Sequence, residues 1–266
     1  SVTALLSGCG NGENKTDTAA QSDQPDHHTQ ADVLSRLAIS ESSSNTVFVF
    51  NADTFDTAGQ FTLLNNPTAL KSSPDGRYAL AIQRTNNLVQ ILDGGISAEA
   101  HGDHFHLHST QPKLVNSQYE GTLPTHYDPS DTKAALFFDG SASAGVNAEF
   151  RVIDDATIAT AGHVASYPFE YAVHGTAQIF GEHVFTGIND GAADPRMPNK
   201  VIALELHNDH FHQLSTAADT CPALHGSAQS KTQVAFACGD GVLVIDSPDT
   251  TPQFSKIGNP ASLEPN

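Results

Sequence analysis

The feature that most restricts this chain is an internal repeat. Four segments align: Pro67-Thr68-Ala69 with the apolar runs 78–82 and 88–93; Pro124-Thr125-His126 with 134–138 and 150–154; Ala172-Val173-His174-Gly175 with 183–187 and 200–204; Pro222-Ala223-Leu224-His225-Gly226 with 233–238 and 242–246. Their aligned residues, 69, 126, 174 and 225, are spaced by 57, 48 and 51. The runs are short and end in turn chemistry. Ser73-Pro74-Asp75-Gly76-Arg77 is one such turn, where proline presets φ and glycine accepts a positive one. A unit of a few strands cannot bury both its faces alone and must stack on its neighbours. A period of this length in all-β texture predicts a β-propeller of four-stranded blades. The runs ending at Asp93, Asp154 and Asp246 read as the third strand of their blades.

Four blades are visible in this way, with the run 46–50 as a remnant of another at the front. No closing strand is evident near the end, so the expectation is part of a larger ring, with a compact small propeller as the alternative. The predicted organisation is a leader remnant over 1–9, a polar linker over 10–35, the propeller over 36–258 and a tail over 259–266. The linker lacks periodicity and carries His27-His28 beside Asp26, which reads as polar tether. No segment is long and apolar enough to span a bilayer as a helix.

Histidine carries the chemistry. His101-Gly102-Asp103-His104-Phe105-His106-Leu107-His108 holds four imidazoles and a carboxylate, and His207-Asn208-Asp209-His210-Phe211-His212 repeats its Asp-His-Phe-His core. Neutral imidazole and carboxylate ligands suit a borderline divalent ion, zinc first. In an extended segment alternate side chains share a face, so His104, His106 and His108 point one way. The repeat exposes a second constellation. His126, His174 and His225 occupy one place in three successive units, where the first unit has Ala69. Innermost strands line a propeller's channel, so equivalent positions converge on one axis. Three nitrogens meeting there leave an open coordination position, the pattern of exchangeable or catalytic zinc. Asp139, Asp190 and Asp240, each in an Asp-Gly after the second strand, are conceivable partners for the rings. His163 and His183 match neither pattern and read as structural or surface residues.

The formal charge of −18 repels a phosphate backbone, which sets nucleic acid aside, and raises the local concentration of cations. Cys9 follows Leu6-Ser7-Gly8 after a short apolar run and resembles the lipobox of a bacterial lipoprotein, which makes Cys9 the candidate for lipidation and membrane tethering. A lipid anchor or a plain secretory exit both place the body outside the cytoplasm. Cys221 and Cys238 remain as a pair, which an oxidising compartment allows to bridge; two buried free thiols are the alternative.

The lipobox-like start, the run 103–108 and the recurring Pro-Thr-His126, Val-His174-Gly and Leu-His225-Gly resemble the periplasmic zinc metallochaperones of the AztD type. The likeness runs over about residues 45–250 and is carried best by the inter-blade histidines and the Cys221/Cys238 spacing. It implies a periplasmic β-propeller that passes zinc to the solute-binding protein of an ABC importer, and no enzymatic role. That family's propeller has more blades than are counted here, so a ligand from a further blade stays open. Two other readings compete: a zinc-dependent propeller hydrolase, for which Glu170 and Glu182 lie near the third unit without being singled out, and a metal-independent interaction module.

Overall fold

A computed structural model of the chain describes residues 2–6, 35–192 and 194–263. Its strands form five four-stranded antiparallel sheets, each running in chain order from an innermost to an outermost strand. The first sheet holds β1 (Val2–Leu6), β2 (Arg36–Ser40), β3 (Thr46–Asn51) and β4 (Thr57–Thr62). The second holds β5 (Ala69–Ser72), β6 (Tyr78–Gln83), β7 (Leu88–Asp93) and, after an inserted hairpin of β8 (Ile96–His101) and β9 (His104–Ser109), β10 (Lys113–Glu120). The third holds β11 (Pro124–Ser130), β12 (Lys133–Phe138), β13 (Glu149–Ile153) and β14 (Ala165–Pro168), with the one-turn helix α1 (Asp155–Ile158) between its last two strands. The fourth holds β15 (Ala177–Phe180), β16 (His183–Ile188), β17 (Lys200–His207) and β18 (His210–Thr216). The fifth holds β19 (Ser227–Gln229), β20 (Gln233–Cys238), β21 (Gly241–Asp246) and β22 (Gln253–Gly258).

The chain is a β-propeller of stacked four-stranded blades. The four aligned units are the second to fifth sheets, and the runs ending at Asp93 and Asp246 are third strands, as is β13. Two elements exceed the sequence reading. Residues 46–50 belong to a complete four-stranded sheet, and β22 supplies the fifth sheet with an outer strand. The segment expected as leader, Val2–Leu6, pairs here with β2. Cys9, His27 and His28 lie outside the described residues, as does the linker up to residue 34. Among the described residues, no helix is long and apolar enough to cross a membrane.

Period-two alternation explains the stacking, because successive side chains of a strand leave opposite faces of the sheet. Along β6, Tyr78, Leu80 and Ile82 pack toward the third sheet, while Ala79 and Ala81 pack toward the first. Along β12, Leu136 and Phe138 face the second sheet and Ala135 and Phe137 the fourth. In β17, Ile202 and Leu204 meet the third sheet and Val201 and Ala203 the fifth. Each of the four apolar clusters therefore joins consecutive sheets. Leu80, Leu136, Phe137 and Phe185 are fully buried, and each contributes about 1.5–3 kcal/mol by leaving water. The stack fixes where the innermost strands lie, and hence where their first residues meet.

Candidate metal centre

His126, His174 and His225 come together at the start of three successive innermost strands. Their ring centroids are separated by 5.2 Å (126 to 174), 5.6 Å (126 to 225) and 4.9 Å (174 to 225). One ligand nitrogen from each ring lies within 4.8 Å of the others. Zinc at about 2.0–2.1 Å from three nitrogens holds them about 3.3 Å apart, so a small closure of side chains completes the site.

Each ring is aimed by a different local device. In β11 the register with β12 slips between Pro124 and Tyr127, a bulge that turns His126 out of the regular ladder. The His174 amide donates to the Arg196 carbonyl at 2.8 Å, just ahead of β15. Its neighbour Gly175 must be glycine, since a Cβ there would stand 2.5 Å from the buried Phe137 ring. The His225 amide donates to the Ala237 carbonyl at 3.0 Å, and the Ala237 amide to Gly226, whose φ is +92°. A disulfide between Cys221 and Cys238 fastens the same loop to β20.

Two residues beyond each ring, the same alignment brings Lys71, Asp128, Thr176 and Ser227 to equivalent places. Thr176 Oγ1 donates to Asp128 Oδ2 at 2.7 Å and lies 2.9 Å from Ser227 Oγ. This polar belt ties the three histidine-bearing strands together directly beneath the rings.

Asp139 is the buried partner of His174. Its Oδ2 accepts from His174 Nδ1 at 2.8 Å, from Arg84 Nη2 at 2.6 Å and from Thr125 Oγ1 at 2.9 Å. A carboxylate only accepts, so Nδ1 carries the proton and Nε2 is left with its lone pair for an ion. The other oxygen, Oδ1, is buried without a hydrogen-bond partner among the described residues. A buried, unsatisfied carboxylate oxygen beside three imidazoles suits a cation. Burial, and then the neighbouring imidazoles of His174 and His225, push the His126 pKa down to about 4. His126 is therefore neutral, and able to ligate, across the physiological range.

Of the three carboxylates considered as ring partners, only Asp139 takes that place. Asp190 faces Lys200 of β17 at 3.3 Å and Asp240 faces Lys256 of β22 at 2.6 Å, so each is paired with a basic residue instead of a ring. Arg84 went unnoticed in the sequence. It lies in the one aligned unit without a ring histidine, and nothing local marks it. Thr125 was legible as part of Pro-Thr-His. His183 is buried, and its Nδ1 meets the Pro248 carbonyl, so it is structural. Glu182 faces Lys133 at 3.5 Å.

The two histidine-rich stretches form β-hairpins. His101 and His104 close the turn of β8 and β9, and His207 and His210 that of β17 and β18. In the second, the rings of His207, His210 and His212 lie 4.9–6.2 Å apart. Asp209 pairs with His210 at 3.2 Å. In the first, His108 lies 3.2 Å from Glu99. Neither hairpin approaches the three-ring cluster. The rings stand where the innermost strands begin, whereas both hairpins connect a third strand to a fourth, at the other end of the antiparallel sheets.

No family model matches the chain. A curated relative from Citrobacter koseri is 27% identical over 217 residues, covering 82% of this chain and 49% of that protein, and is a zinc chaperone named AztD. This chain is similar to AztD. It spans about half of AztD's length. The crystal structure of Citrobacter koseri AztD superposes with a TM-score of 0.69 at 24% identity, covering 86% of this chain and 59% of that one. The structure of apo AztD from the same organism gives 0.66 at 23% identity, with the same coverage. These two likenesses establish the shared propeller architecture of this chain and AztD.

Proposed function

We propose that this chain is a zinc-binding chaperone acting in the periplasm, which holds the ion on His126, His174 and His225 and passes it to the solute-binding protein of a zinc ABC importer. The observation that carries this reading is the meeting of three imidazoles, from blades about fifty residues apart, with their ligand atoms within 4.8 Å. The similarity to a protein named zinc chaperone supports the cargo. The chemistry supports handover rather than permanent storage. Three nitrogens leave zinc an open position that an acceptor's ligand can enter. His225 is exposed, whereas His126 and His174 are half-buried, so the acceptor displaces His225 first. The ion then moves by stepwise ligand exchange without being fully released to water. The acidic surface, −18 overall, concentrates cations near the molecule. The hairpin residues His101, Asp103, His104, His106 and His108, and His207, Asp209, His210 and His212, offer further imidazole and carboxylate ligands for capture. A lipid on Cys9 would hold the protein at the membrane beside the importer.

The test is a transfer assay. Zinc-loaded protein is mixed with zinc-free solute-binding protein in the presence of a competing chelator, and the acceptor's occupancy is followed. Direct handover predicts that the acceptor fills faster than zinc escapes to the chelator, and that His126→Ala/His174→Ala abolishes this advantage. An acceptor that fills no faster than spontaneous dissociation allows would overturn the proposal.

A further inference from the structure

The two hairpins share more than the sequence comparison of their histidines brought out. Aligned on their turns, they read Glu99-Ala100-His101-Gly102-Asp103-His104-Phe105-His106 and Glu205-Leu206-His207-Asn208-Asp209-His210-Phe211-His212. The shared pattern is Glu-x-His-x-Asp-His-Phe-His, and it includes a glutamate. The backbone register is also the same. His101 pairs with His104 and Glu99 with His106; His207 pairs with His210 and Glu205 with His212. Both turns have a positive φ at their first residue, +64° at Gly102 and +54° at Asn208. Both turns lie on the path from a third strand to a fourth, the first in an inserted hairpin of its own and the second between β17 and β18 themselves.

Alternation then decides what each face presents. Cross-strand pairs stand side by side on one face of a hairpin. In the second hairpin Leu206 is buried, and Phe211 packs on Phe150 and Tyr167 with ring centroids at 5.3 and 5.8 Å. That apolar face is glued to the third blade. Glu205, His207, His210 and His212 are thereby held on the opposite, solvent-facing side. There His210 Nε2 lies 3.1 Å from His212 Nε2, close to the separation of about 3.3 Å for two nitrogens on one tetrahedral zinc. His207 Nε2 lies 2.9 Å from Glu205 Oε2. Asp209 Oδ1 accepts from His210 Nδ1 at 3.2 Å, which leaves the Nε2 lone pair of His210 for the ion. Blade stacking does not require three imidazoles and a carboxylate on a wet face.

We propose that the second hairpin is a separate surface site for a zinc-class divalent ion, with Glu205, His207, His210 and His212 as its ligands. The aspartate of the turn orients a ring instead of ligating. This site opens at the end of the sheets opposite the three-ring cluster, so it loads independently of it. The proposal rests on the zinc reading above and deepens it: the molecule takes up an ion on one face and holds another on the other.

Zinc bound per chain, after equilibration with zinc and removal of free ion, decides this. The background is a chain carrying His126→Ala, His174→Ala and His225→Ala. In it, adding His207→Ala, His210→Ala and His212→Ala removes one ion, and Glu205→Gln alone weakens that ion by about tenfold or more, while Asp209→Asn costs less. An ion count unchanged by the three hairpin substitutions sinks the hairpin site, as does an Asp209→Asn variant weaker than Glu205→Gln. Failure of the zinc reading itself looks different: the wild-type chain then binds no zinc at the three-ring cluster either. These side chains are exposed, so a circular-dichroism spectrum unchanged by the substitutions confirms that ligand loss and not unfolding is being read.

Discussion

Asp139 gathers Arg84, Thr125 and His174 on a single oxygen, so one carboxylate sets the tautomer of a ligand and is itself held by a guanidinium from the neighbouring blade. Replacing it with asparagine keeps the shape but frees the His174 ring to take either tautomer. Partners of this kind are typically worth 10–100-fold in metal affinity, so Asp139→Asn should weaken zinc at the three-ring site by about that factor. A competition titration against a chromogenic chelator measures it, and an unchanged affinity would show that Asp139 does not position the ring. His126 makes a second residue-scale prediction. Its imidazole titrates near 4 in the folded, metal-free chain and near 6.5 in an unfolded one. A folded pKa below the unfolded value means the unfolded chain takes the proton first. The stability is therefore fully present above about pH 6.5 and is lost as the pH falls from there through about 4. The His126 ring resonance followed by NMR should show a midpoint near 4, and a midpoint near 6.5 would contradict the burial of that ring. The three ring histidines were legible because a repeat superposes them. Arg84 was not, because its role arises only from the packing of one blade on the next.

At the scale of elements, the bulge in β11 and the glycines after His174 and His225 decide whether a histidine points into the cluster. Gly175 is the sharpest case, since Phe137 has no exposure and its ring would sit 2.5 Å from an added Cβ. Gly175→Ala should cost about 1–3 kcal/mol by overpacking and displace His174 with it. A lowered denaturant midpoint together with weakened zinc binding is the expected pair of results. A variant as stable as the parent would mean that Phe137 moves aside at little cost. The hairpins show how far the sequence could be read. Alternation along 104–108 predicted one shared face for its histidines, but not the partner strand that each stretch pairs with. Glu205 stands two residues before His207 on one strand, a signal the sequence carries, whereas its place opposite His212 arises only from cross-strand pairing. The first blade was seen only as residues 46–50, since no histidine or Pro-Thr motif leads it. Yet Arg36–Ser40 alternates as regularly as any strand in the chain, with its first, third and fifth residues buried.

For the whole molecule, the recurrence of short apolar runs and turns at spacings of 57, 48 and 51 residues made the stacked-blade architecture predictable. The exact number of blades was not, because a blade without the recurring motif leaves no repeat to count. The chain spans about half of AztD and overlays its fold. Within that span, three consecutive blades supply a complete set of three nitrogen ligands at one end of the sheets, with the histidine hairpins at the other end. The central claim is that the stack itself assembles the ion site from residues remote in sequence. Anomalous diffraction at the zinc edge, from crystals of the protein loaded with one equivalent of zinc, tests this most directly. A peak about 2.0–2.1 Å from a nitrogen of each of His126, His174 and His225 is the predicted result. Zinc-loaded crystals with no peak among those three rings would contradict it.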